Sequence, residues 1–293
     1  MPQILLYFLA LISLSTAPNW AKLNEMPAEV LGFWRLAIAS TLVLSYLFLY
    51  KKQKVPLNRQ LQWVLGTGFF FFLHLWTYKW ASKHTLVSNT MILFATNPIW
   101  SSLGGVLFFK EPIKKSMIAA YLIAFFGISL LVYDKIEINN PHSAGNWIAL
   151  TSAFFYACYM LFSKKARQFY DNTIVAGFQY LIAGLFFAAA VVYGGSALFS
   201  ENYHSISWLA VLGLVLLPTF LGHMSLTYLV KKMNIGVLTC GKLIEPVLAS
   251  IFAYFIFRED LSPMAYWAFA MTAVAVIILF WSDIRNYFAN KKS

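Results

Sequence analysis

From residue 2 to residue 282 the chain alternates between long apolar stretches and short polar breaks. A helix crosses the hydrocarbon core of a bilayer only with about 20 mostly apolar residues, because its backbone polar groups find partners nowhere else. About ten stretches reach that length, at residues 2–21, 29–50, 61–81, 86–109, 116–133, 146–163, 173–193, 206–230, 235–257 and 263–282. The breaks carry turn residues: Asn139, Asn140 and Pro141, then Gly194 and Gly195, then Leu261, Ser262 and Pro263. Only 11% of residues are charged and 60% are hydrophobic, against about 25% charged in a soluble domain. The fold class expected is therefore all-α and integral to the membrane. The N-terminal apolar run has no basic leader and no clear cleavage site, so it reads as a first spanning helix rather than a signal peptide.

The basic residues orient the bundle. With the N-terminus inside, the inner segments hold Lys51, Lys52, Lys54 and Arg59; Lys110, Lys114 and Lys115; Lys164, Lys165 and Arg167; Lys231 and Lys232; and Arg285, Lys291 and Lys292. That side takes 15 of the 22 basic residues, and the other takes five: Lys22, Lys79, Lys83, Lys135 and Arg258. Arg35 and Lys242 lie within spans. The asymmetry predicts an even number of spans with both termini cytoplasmic. The net charge of +11 is then a topology signal in contact with the lipid bilayer, and no nucleic-acid partner is expected. Cys158 and Cys240 both sit in apolar segments, without disulfide or metal spacing, and read as small apolar fillers.

The chain also repeats itself. Residues 94–113, FATNPIWSSLGGVLFFKEPI, align with residues 242–261, KLIEPVLASIFAYFIFREDL. Asn97–Pro98 falls on Glu245–Pro246, and Lys110–Glu111 falls on Arg258–Glu259, 13 residues on in each case. Upstream, LGFWRLAIA (31–39) resembles AGFQYLIAG (176–184). Two five-helix halves, 1–134 and 145–283, would insert with opposite orientation, since an odd number of spans reverses the second half. That is the inverted-repeat design of many secondary transporters, whose sites lie near the midplane where the repeats meet.

On these paired blocks, Pro98-x12-Glu111-Pro112 and Glu245-Pro246-x12-Glu259, the chain resembles the drug/metabolite transporter superfamily, EamA type, over nearly its whole length. The resemblance implies ten helices, cytoplasmic termini, a central cavity and alternating-access transport of small metabolites. It identifies cargo poorly, because the Glu-Pro element occurs in members with different cargo. Asn97, standing where an acidic residue would match Glu245, makes the pair asymmetric.

Glu245 and Asn97 each fall near the middle of a span. A charge there costs about 2.5–3.5 kcal/mol on insertion scales and normally faces the bundle interior. Lys242, three residues before Glu245, shares its helical face. Pro98 and Pro246 each remove a helical hydrogen bond, leaving the carbonyls of Phe94 and Lys242 to be satisfied otherwise. Two readings stand side by side. Glu245 binds a cation, a proton or a cargo amino group while Lys242 binds a carboxylate or tunes the acidity of Glu245, or the two form a self-neutralising structural pair. For Asn97 and Arg35 a structural role is expected, with Arg35 snorkelling from the outer end of its span. Further candidates for substrate contact are Trp20, Tyr78, Trp100, Tyr159 and His223; Asn19, Trp34, His74, Trp76 and Gln179 are weaker. Trp20, Trp76 and Trp80 also suit an interfacial belt. Ser101, Gly104, Gly105, Ala249 and Ser250 suit close helix packing.

No nucleotide-binding, zinc-protease or serine-hydrolase motif is present. The expectation is a non-enzymatic secondary transporter of the cytoplasmic membrane, without cofactor or metal, drawing on a substrate, proton or ion gradient or on a partner protein. Its cargo is expected to be amino acids or their derivatives, since one basic and one acidic intramembrane residue answer a zwitterion. The alternatives are efflux of aromatic or cationic compounds and, in another class, a membrane enzyme or assembly factor.

Overall fold

The computed structural model describes residues 2–56, 58–85, 87–132, 143–258 and 263–290. Among them every regular element is a helix and no strand occurs. In chain order the helices are α1 (Pro2–Ser15 and Ala17–Lys22), α2 (Ala28–Tyr50), α3 (Leu61–His84), α4 (Val87–Phe94 and Asn97–Phe109) and α5 (Lys115–Val132). They continue as α6 (Ser143–Ala166), α7 (Asn172–Gly194), α8 (Ser205–Leu229), α9 (Ile235–Gly241, a 3-10 turn Lys242–Ile244, and Glu245–Phe257) and α10 (Pro263–Asn290).

Seven of them, α1, α2, α4, α7, α8, α9 and α10, are long and apolar enough among the described residues to cross a membrane. That is fewer than the sequence led us to expect, for two reasons. The apolar part of α5 that is described, Lys115–Leu130, is short. Helices α3 and α6 have the length but dilute their hydropathy with Gln62, Thr67, His74, Thr77 and Lys79 in one and Asn146, Thr151, Ser152 and Ser163 in the other. These two helices pack along each other, so part of this polarity faces inward. The Ser152 hydroxyl lies 3.1 Å from His74 Nδ1 and donates to the His74 carbonyl at 3.1 Å.

Local chemistry sets several helix ends. Asn234 caps α9 by accepting from the Val237 amide at 3.2 Å, as its short side chain favours. Gly195, with φ 65°, closes α7 in the left-handed conformation that glycine adopts without steric cost. Lys110 and Arg258 close α4 and α9 in that same conformation, at φ 54° and 57°. Each follows a 13-residue helix that opens on Asn97-Pro98 or Glu245-Pro246. Helix α10 runs eight residues past the expected end at Ser282, to Asn290, since no proline or glycine interrupts it. The expected turns at Asn139–Asn140–Pro141 and at Leu261–Ser262 lie outside the described residues.

The main contacts are α3 with α6 and α7, α2 with α7, α5 with α10, α1 with α8, and α4 with α6 and α9. The interior is unlike that of a soluble protein. Ser13, Ser101, Ser152, Gln179, Thr219, Thr227 and Thr239 are buried, whereas Leu49, Leu107, Phe108, Val192 and Phe255 stand on the surface. In lipid the apolar exterior costs nothing, and helices associate through small residues, packing and interhelical hydrogen bonds. Gly104 lies against Leu161 of α6, Gly105 against Ile235, and Gly236 against Ser102 and Met117, so a Cβ at any of them would collide.

Candidate substrate site

Helices α4 and α9 are both interrupted near their centres, and each resumes with a proline in its first turn. Proline is tolerated there because the N–H it lacks would have no partner anyway. Glu245 occupies the first turn of the resumed α9, where its negative charge complements the positive end of the helix dipole.

The carbonyls released by the two prolines do not stay open. The Phe94 carbonyl accepts from Asn97 Nδ2 at 2.9 Å, and the Lys242 carbonyl accepts from the Glu245 amide within the 3-10 turn. Each break thus satisfies itself locally, by a side-chain amide in α4 and a tightened turn in α9. The Oδ1 atom of Asn97, itself 1% exposed, has no partner.

Lys242 Nζ lies 2.7 Å from Glu245 Oε1 and 4.7 Å from the ring centroid of Tyr156 on α6. Tyr156 is completely buried and packs edge-on against His74 at 5.0 Å, Phe94 at 5.6 Å and Tyr159 at 5.6 Å. His74 stacks on Phe94 at 5.1 Å, and Tyr78 meets the same ring edge-on at 5.1 Å. Phe94 and Lys242, which correspond in the repeat alignment, therefore both rest on Tyr156. Glu245 is within electrostatic reach of Tyr7, Tyr78 and Tyr156. The structure is closed over this group: the side chain of Lys242 is 5% exposed and that of Glu245 20%. An apolar crevice beside Cys240 and Gly241 faces α5 and α10 instead, lined by Ala120, Ala124, Thr272 and Ala275.

The other candidates divide. Tyr159 is buried against Tyr156 and shares a 3.3 Å hydrogen bond with Thr227. His223 lies within electrostatic reach of Lys242, and its ring sits 4.8 Å from Phe71. Trp100 meets Phe154 of α6 at 5.8 Å. Trp20 covers Gly213 of α8 in a separate cluster with Met26, Val30 and Leu214, so the structure does not gather it with the ion pair. Arg35 does not snorkel. It is 7% exposed and donates from Nε to Thr219 Oγ1 of α8 at 2.7 Å, because a buried acceptor lies within reach. Sequence reasoning missed Tyr156, which no motif distinguishes from the other 15 tyrosines. Cys158 and Cys240 are free thiols, Cys158 partly buried and Cys240 buried.

A second charged cluster ties α4, α6 and α9 together. Glu111 accepts from Lys164 through Oε1 and from the Ile235 amide through Oε2 at 2.9 Å. Lys164 also donates to the Met233 carbonyl at 2.9 Å, and Asn234 Nδ2 to the Pro112 carbonyl at 3.3 Å.

The sequence model of the EamA-like transporter family matches residues 1–133 and 143–281. The chain belongs to that family. This EamA-like chain is 21% identical over 221 residues to an uncharacterized transporter of Clostridium kluyveri, covering 73% of the chain and 68% of that protein. It is 24% identical over 200 residues to a probable amino-acid metabolite efflux pump of Escherichia coli, covering 67% and 65%. It is 23% identical over 141 residues to a riboflavin transporter of Vibrio cholerae, covering 48% and 46%. The chain thus spans about two thirds of the length of the first two relatives and about half of the third. A solved crystal structure shares the fold at a TM-score of 0.82 and 18% identity, over 97% of this chain and 98% of that one. The family and these relatives are transporters, not enzymes.

Proposed function

We propose that this EamA-like transporter moves amino acids or their derivatives across the cytoplasmic membrane by alternating access, driven by a substrate, proton or ion gradient. The buried Lys242–Glu245 pair at the break of α9 carries this reading. One acid and one base near the midplane match the two charges of a zwitterion, and intramembrane ions are functional by default. The similarity to an amino-acid metabolite efflux pump supports the cargo class. In this reading Asn97, Tyr78, Tyr159 and His223 line the cargo path with the pair, Trp100 and Trp20 flank its wall and outer end, and Pro98 and Pro246 hold the breaks.

All ten helices span the membrane in this proposal, as inverted repeats 1–134 and 145–283 with both termini cytoplasmic. The packing pattern supports it. Exchanging α1–α5 with α6–α10 maps the contacts α2–α7, α4–α9 and α5–α10 onto themselves, and α1–α8 onto α3–α6. The matched 13-residue helices and the family model's match to two stretches support it as well.

Counterflow of radiolabelled amino acids in proteoliposomes, with and without a pH gradient, tests the function. Glu245→Gln and Lys242→Ala should each reduce uptake while the protein remains folded; full activity in both removes the pair from the mechanism. A second reading, efflux of aromatic or cationic compounds, rests on the Tyr156 ring that already receives the Lys242 ammonium. Lipophilic cations that counterflow better than zwitterions would select it.

A further inference from the structure

Arg35 is a buried cation without a counter-charge. Among the described residues no carboxylate lies within ion-pairing distance of it. Its one hydrogen bond runs from Nε to Thr219 Oγ1, and Nη2 has no acceptor. A guanidinium has five donors and no acceptor, and burying one unpaired is strongly unfavourable.

The surroundings are built to hold it. Residues Val215–Met224 of α8 are wound as a π-helix, with Pro218 inside it, a rare geometry associated with functional sites. Within it Thr219 donates its hydroxyl to the Leu214 carbonyl at 2.8 Å, and its own carbonyl accepts from Tyr180 at 3.0 Å. The Thr219 hydroxyl is thereby oriented to accept from Arg35.

Two more buried polar groups lack partners nearby. His223 is 5% exposed and its Nδ1 is unbonded; Gln179 is fully buried and neither amide atom is bonded. The Phe71 ring connects the group, with His223 at 4.8 Å, Tyr159 at 5.0 Å and Tyr180 at 6.1 Å. Gln179 directly precedes Tyr180, whose hydroxyl reaches the Thr219 carbonyl, and His223 follows Thr219 by about one turn of the same helix.

We propose that Arg35, with His223 and Gln179, forms an anion subsite that receives a carboxylate of the cargo. This rests on the transport reading above. A carboxylate would supply the counter-charge that Arg35 lacks, and the donors of Arg35 and Gln179 supply its hydrogen bonds.

The test is thermal unfolding of the purified full chain in detergent with benzoate or with benzamide, the same ring with and without the charge. Benzoate at saturating concentration should raise the unfolding temperature of the wild type by about 3 °C or more, and benzamide should not. Arg35→Gln should lose the benzoate shift, and Arg35→Lys should keep a smaller one. If Arg35→Gln does not fold, Gln179→Leu carries the test, with benzoate affinity reduced about tenfold for one lost charge-assisted hydrogen bond. No benzoate shift in the wild type, or an unchanged shift in Arg35→Gln, overturns the subsite. Amino-acid counterflow measured on the same preparation separates the two ideas. Its absence beside an intact benzoate shift overturns the transport reading and leaves the subsite standing.

Discussion

Lys242 and Glu245 face each other across one turn of a broken helix, with Nζ and Oε1 2.7 Å apart. Neither charge has another ion-pair partner among the described residues, so each depends on the other to remain buried. Removing one should cost about 3–5 kcal/mol, the usual result of leaving a buried charge uncompensated. The double variant Lys242→Met/Glu245→Gln should recover most of that loss. Thermal unfolding of the two single variants and the double variant measures the coupling; strictly additive losses would rule the pair out.

Tyr156 contributes its ring face to Lys242, and its hydroxyl has no partner. Tyr156→Phe keeps the face and should change stability little. Tyr156→Leu should lose about 0.5–2 kcal/mol from the cation–π contact in addition to the lost aromatic packing. Equal losses in the two variants would show that the hydroxyl, not the face, matters.

The Asn97 amide satisfies the carbonyl that Pro98 releases. Asn97→Leu would leave the Phe94 carbonyl unpaired and should destabilise by about 1–3 kcal/mol. Pro246→Ala does the opposite in α9: it restores a helical donor and should keep or raise stability. If the break serves transport, this variant should lose counterflow activity while its unfolding temperature is maintained. Retained activity would make the break dispensable.

Glu111 is the hinge of the second cluster, holding Lys164 and the first amide of α9. Glu111→Gln keeps its size but loses the charge, and should cost about 1.5–3 kcal/mol, the range for hydrogen bonds to charged groups. Lys164→Met should weaken the protein more, because it strands the Glu111 carboxylate without a counter-charge and removes the donor to the Met233 carbonyl. Unfolding temperatures give the order, and the reverse order would refute the arrangement.

The interruptions of α4 and α9 were legible in the chain because proline acts on its own helix, within one turn. The polarity of the pair was legible for a similar reason: a charge inside an apolar run is conspicuous. The fate of the freed carbonyls was not, because a rotamer of Asn97 and a tightened turn at Lys242 decide it. Nor was the placement of Trp20, whose position near a span end says nothing about the α8 glycine it covers. The snorkelling expected of Arg35 failed because a partner, Thr219, comes from a helix 184 residues away in sequence.

By itself, then, the sequence determined the membrane class, the family and the two helix breaks, since all three follow from local composition or from motif order along one strand of chain. The tertiary structure alone decided what surrounds the charges. In a bundle with apolar side chains both in its core and on its surface, hydropathy alone does not say which face of a helix turns inward. Tyr156 over Lys242, Thr219 under Arg35 and Glu111 against the start of α9 exist only once the helices have chosen their neighbours.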